Sequence, residues 1–100
     1  MRSFKFKIQP RVYDEIQNGI TYYNKKQKGL GRKFHKAVKS SFQTIRESPF
    51  YQVRYERVRC LPVTKFPFMV HYIVDKSTNT IIVYALINTH IDPEISYVNK

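Results

Sequence analysis

Two arginines two positions apart, Arg57 and Arg59, a lysine shortly after them, Lys65, and a histidine near the carboxyl end, His90, are the side chains here best suited to work on a phosphodiester. Metal-free cleavage of RNA needs a group to take the proton from the 2′-hydroxyl, cations against the crowded phosphorane, and a donor for the leaving oxygen. Arg57, Arg59 and Lys65 can supply the cations, and Tyr55 and Tyr72 can join the arginines in binding a phosphate or a partner. Proton transfer is harder to place. His71 and Tyr72 are consecutive, so in a strand they point to opposite faces. The neighbours of His71 on its own face are Met69 and Ile73, the setting of a core or interface histidine. His90 is left as the catalytic candidate beside Arg59 and Lys65. The arginine pair also has a plainer reading, as cross-strand partners of Glu56 or Asp75 or as simple surface charge, and tyrosines in strands commonly serve packing. Cys60 shares a face with Val58 and reads as a small core residue, because no histidine is placed to activate it.

Residues 54–74 must position these groups, and they read as a β-hairpin. Counting by twos sets Tyr55, Arg57, Arg59 and Leu61 on one side of a first strand and Glu56, Val58 and Cys60 on the other, with the two guanidiniums about 7 Å apart. Pro62 and Pro67 lack the amide hydrogen of a central ladder position and bracket the turn. The strand from Phe68 to Val74 is apolar on both sides, and after the polar turn 75–79 a further apolar strand runs from Thr80 to Ile87. A half-exposed strand would alternate, so both strands are expected to want cover on both faces.

The amino-terminal half supplies the cover for one face. Phe4-Lys5-Phe6-Lys7-Ile8 alternates as a short strand. Pro10 suits the first turn of a helix, with Asp14 and Glu15 near its positive end, and Val12, Ile16, Ile20 and Tyr23 form an apolar stripe. Gly29-Leu30-Gly31 suits a tight helix–helix connection. A second helix carries Leu30, Phe34, Val38, Phe42 and Ile45 and ends at Ser48-Pro49. The order is strand, helix, helix, three strands, in one domain spanning 1–100.

The chain has 18 Lys and Arg against 7 Asp and Glu, a formal charge of +11, which favours a polyanionic partner, whether nucleic acid or an acidic protein. Eight basic residues and no acidic ones lie between Lys25 and Arg46, and Arg32, Lys36, Lys39 and Arg46 fall opposite the apolar stripe as a cationic ridge. A single cysteine forbids an internal disulfide, no metal-ligand spacing is present, and no apolar run is long enough to span a membrane. No cofactor and no membrane partner is expected, and the cytoplasm is the expected location.

Tyr22-Tyr23, Gly29-Leu30-Gly31 with Phe34, Ile45 with Ser48-Pro49, Val58-Arg59, Lys65-Phe66-Pro67-Phe68 and Tyr72-Ile73-Val74-Asp75 together resemble the RelE/ParE superfamily of toxins from type II toxin–antitoxin pairs, over roughly residues 4 to 93. The resemblance implies an α+β fold, with a two-helix hairpin packed on a small antiparallel sheet, and a cognate antitoxin bound across the toxin. It implies operator DNA as a partner only through that antitoxin. Some relatives cut mRNA on the ribosome without metal and others poison DNA gyrase. The helical hairpin and residues 65–68 are closer to the ParE-like side, where no nuclease chemistry is expected. Family members commonly carry a histidine just after the last strand and an arginine three residues later, where this chain has Asn88 and Ile91. The antitoxin segment, apolar and acidic, is expected on the sheet face that the helices leave open. A different class of reading is a basic nucleic-acid-binding module without toxicity, or a degenerate toxin relative.

Overall fold

A computed structural model of the chain describes residues 4–51 and 53–89. Its elements, in order, are β1 (Lys5–Ile8), α1 (Pro10–Lys26), α2 (Leu30–Glu47), β2 (Val53–Tyr55), β3 (Val58–Pro62), β4 (Phe68–Asp75) and β5 (Thr80–Asn88). The α+β class and the helical hairpin on a sheet are as expected. The sheet has five strands in the order β1-β5-β4-β3-β2, and it is mixed: β1 runs parallel to β5, while the other pairs are antiparallel.

The extra strand arises where the alternation suggested one long segment. Glu56 takes a left-handed backbone, φ 49°, and with Arg57 forms a two-residue turn between β2 and β3. Tyr55 therefore pairs with Val58, and Val53 pairs with Arg59 across a register shift. Two expectations fail as a result. Arg57 lies in the turn rather than beside Arg59, and Tyr55 stands on the sheet face opposite to Arg59.

One face of the sheet receives the helices. Val12 and Tyr23 of α1 and Phe34, Val38 and Ile45 of α2 pack with Phe68, Val70, Tyr72, Ile81, Val83 and Leu86 into a single core. The helices approach closely at two glycines. A Cβ on Gly19 would stand 2.4 Å from Cε2 of Phe34, and one on Gly31 would stand 2.6 Å from the carbonyl oxygen of Ile20. Gly29 caps α2 with φ 88°, a conformation that glycine adopts without steric cost. Asp14 and Glu15 lie beyond the first turn of α1, and Glu15 serves a tertiary role instead. Its Oε1 accepts the Leu86 amide at 2.7 Å, and its Oε2 meets Arg11 at 2.8 Å.

The opposite face differs from expectation. Val58, Cys60, His71, Ile73 and Ala85 are each less than one-tenth exposed in the single chain. The centre of that face is not an open apolar surface waiting for a partner. Tyr55 contributes to its cover, with its hydroxyl 3.2 Å from Nδ1 of His71.

Candidate functional site

Arg59 and Lys65 are held at opposite ends of β3. Arg59 pairs with Tyr72 near the start of the strand, Pro62 pairs with Met69 at its end, and Lys65 lies in the connection beyond. The strand alone places about 10 Å between the backbones of Arg59 and Pro62.

Around Arg59 the structure gathers the connection that leaves α2. The Arg59 guanidinium donates to the Tyr51 carbonyl, and its Cζ lies 5.3 Å from the Phe50 ring centroid. Lys76 Nζ reaches the same ring at 5.5 Å, and Phe4 meets it edge-on at 5.8 Å. Tyr72 is fully buried, and its hydroxyl donates to the Pro49 carbonyl at 2.8 Å. Burial pushes the Tyr72 phenol up to about 12, against the lowering effects of a backbone hydrogen bond from Tyr51 and of Arg59. Arg59 and Tyr72 thus come together, as neither side of the strand pattern alone disclosed, and they pin residues 49–51 to the sheet. Phe50 remains half exposed beside a cavity of about 530 Å³ lined by Phe4, Glu47, Pro49 and Tyr51.

The alternative partners of the arginine pair can be placed as well. Asp75 accepts the amide and hydroxyl of Ser77 at 3.1 and 2.7 Å, which holds its carboxyl below its ordinary range. Glu56 is exposed in the turn.

His71 is 2% exposed, and its pKa is lowered to about 4, first by burial and then by the positive charges of Arg54 and Arg11. It is neutral at physiological pH and set behind Tyr55. Cys60 is paired beside it, and burial pushes the thiol up to about 11. The thiol therefore stays protonated, as expected of a core residue. His90 falls outside the described residues. Among the described residues Arg57 lies in the β2–β3 turn, Arg59 and Lys65 stand at opposite ends of β3, and the exposed titratable side chains of Glu47 and Tyr51 line the Phe50 cavity.

Lys65 belongs to a second surface. Its φ of 71° turns the chain sharply, leaving its side chain exposed while Phe66 and Phe68 insert among Tyr23 and Phe34. Phe66 lies 4.9 Å from Tyr23 and 5.3 Å from Phe34, ring to ring. Aromatic pairs of this geometry contribute roughly 0.5–1.5 kcal/mol each beyond their buried area. Residues 65–68 are thus first a fastening of the β3–β4 connection to the helices. Between that connection and α2 runs a groove of about 730 Å³, apolar at Leu30, Ala37 and Phe66 and rimmed by Lys33, Lys36 and Lys65. The sequence singled out Lys65 but not this groove, because the pairing of an i, i+3, i+7 row on α2 with a loop thirty residues away carries no local signal.

Among the described residues no helix is long and apolar enough to cross a membrane, and no cluster of His, Cys, Asp or Glu is built to hold a metal ion. No protein-family model and no curated protein sequence matches the chain. Solved structures do match. The chromosomal ParDE toxin–antitoxin system from P. aeruginosa superimposes with a TM-score of 0.76 at 12% identity, covering 86% of this chain and 96% of that one. A doubly substituted mutant of the E. coli toxin RelE in the free state superimposes with a TM-score of 0.68 at 13% identity, covering 98% of this chain and 96% of that one. What the likeness covers is a small α+β domain, a helical hairpin on a mixed sheet. The chain shares its fold with both structures.

Proposed function

We propose that this chain is the toxin of a type II toxin–antitoxin pair, held inactive by a tightly bound cognate antitoxin and arresting growth when released. The observation that carries the reading is the likeness of nearly the whole chain to both a ParDE structure and RelE at negligible sequence identity. The groove between α2 and the β3–β4 connection supports it. An acidic amphipathic segment would lay its apolar side on Leu30, Ala37 and Phe66 and its carboxylates against Lys33, Lys36 and Lys65. This site replaces the sheet face favoured from sequence, whose centre the chain itself buries. Contact with operator DNA would come only through the antitoxin.

Of the two toxin modes, the one without RNA cleavage, directed at DNA gyrase, fits the described residues better. His71 is buried and neutral, the Tyr72 hydroxyl is engaged with Pro49, and Arg59 is committed to Tyr51 and Phe50. Inducing the gene alone tests the toxin reading. Growth arrest, relieved by co-expressing an acidic partner from an adjacent reading frame, is the expected result. Normal growth with folded protein accumulating would overturn it in favour of a non-toxic basic module. Purified protein added to a supercoiling assay and to a translating extract separates the modes. Cleaved message that disappears with His90→Ala, or with Arg59→Ala and Lys65→Ala together, would establish the ribosome-dependent mode instead.

A further inference from the structure

The outer face of α2 is arranged against the rules that stabilise a helix. Arg32, Lys36, Lys39, Gln43 and Arg46 follow at steps of four, three, four and three, which sets them in one line, and all are exposed. The row spans about 21 Å at 1.5 Å per residue. Like charges at i, i+4 and i, i+3 repel, and Arg32 and Lys33 sit in the first turn, where the helix dipole favours acids and none is present. No acidic residue occurs between Glu15 and Glu47 to compensate. The ion pair Arg11–Glu15 lies on α1. Arg46 is further held in place, its Cζ 4.3 Å from the Phe6 ring. Arg46, in the last turn, suits the helix dipole, but a helix needed only for its buried stripe gains nothing from aligning Arg32, Lys36 and Lys39 with no acidic residue among them.

We infer that the row Arg32–Lys36–Lys39–Arg46 is a contact surface for the phosphate backbone of a nucleic-acid duplex. The row carries no exposed phenylalanine, tyrosine or tryptophan, and His35, exposed beside Arg32 and Lys39, is its one aromatic ring, so it offers charge to regularly spaced phosphates and little for unpaired bases to stack on. Binding is indifferent to base sequence, because phosphate contacts position without reading. The surface is separate from Arg59, and the inference holds whether or not the chain is a toxin. Only Lys36 is shared with the groove, so an antitoxin seated there would shield one end of the row.

The test uses the purified full chain, a 20-base-pair DNA duplex, an RNA duplex and a single strand of matching sequence, and poly-glutamate. Four neutralised phosphates give a slope of about −3.6 in log K against log salt, or roughly 150-fold weaker duplex binding at 200 mM than at 50 mM salt. Arg32→Gln with Lys39→Gln should halve that slope, leaving about a 12-fold change. Lys5→Gln with Lys7→Gln, exposed on β1 at the edge of the sheet, should leave it unchanged. DNA and RNA duplexes binding within a few-fold of one another support the inference. It is overturned if the two double variants lower the slope equally, if the single strand binds more tightly than either duplex, or if poly-glutamate competes as well as duplex per charge. Circular dichroism of each variant confirms that the fold is retained, and growth arrest plays no part in the readout.

Discussion

Replacing Gly19 by alanine should destabilise this protein, although the same change in an ordinary helix interior helps. Alanine gains about 1 kcal/mol over glycine in a helix by lowering the entropy lost on folding. Here the new Cβ would meet Phe34 at 2.4 Å from Cε2 and 2.7 Å from Cζ. Phe34 cannot swing aside, since it is fully buried, with the rings of Tyr23, Phe66 and Phe68 centred 5.2, 5.3 and 4.9 Å away. Overpacking a tight core costs about 1–3 kcal/mol, and an overlap this deep belongs at the top of that range. The net loss is then about 2 kcal/mol, or roughly 8–16 °C in Tm for a domain of this size. Thermal unfolding followed by circular dichroism measures it directly. Phe34→Leu opens the contact, so in that background Gly19→Ala should recover its helical gain, giving a coupling of about 3 kcal/mol between the two sites. A Tm that rises on Gly19→Ala alone would refute the reasoning, and so would strict additivity of the two changes.

Three further outcomes follow from buried polar groups. His71 has a folded pKa lowered to about 4, below its unfolded value of 6.5, so the unfolded chain binds the extra proton between those limits. Stability should therefore be full above pH 6.5 and fall progressively toward pH 4, by up to about 3 kcal/mol, and urea midpoints of His71→Gln should lose most of that slope; an unchanged slope rules the residue out. Glu15→Ala strips the Leu86 amide of its acceptor and should cost about 1–3 kcal/mol, whereas Glu15→Gln retains an acceptor and should cost less, as denaturant titration will show. Cys60, with its thiol pushed up to about 11 by burial, should react with a thiol reagent at neutral pH only as fast as the chain opens, and prompt labelling of the native protein would contradict its placement.

Much of the architecture was legible because it is written in local periods. The stripes Val12–Tyr23 and Leu30–Ile45 gave both helices, Pro10 and Gly29 marked their starts, and Phe68 opened the long hairpin where Pro67 ended the turn. What local pattern could not show was pairing at a distance. Tyr55, Arg57, Arg59 and Leu61 alternate without interruption, which concealed a turn at Glu56-Arg57 that glycine or asparagine would have announced. The Arg59–Tyr51 and Tyr72–Pro49 contacts, which turn two candidate site residues into fastenings, join segments more than seven residues apart. Apolar character on both sides of β4 demands double cover, but the number of residues the chain itself brings to the second face is not legible in the strand.

The parallel pairing of β1 with β5 has a temporal consequence. Among the described residues Lys5–Ile8 finds its ladder partner in Thr80–Val83, some seventy-five residues later in synthesis. At about 5–20 residues per second a nascent chain waits roughly 4–15 s with its first strand unpaired. A ribosome that stops before β5 has emerged leaves behind an open-edged fragment rather than a finished domain, so the first strand is among the last parts of this fold to find its place.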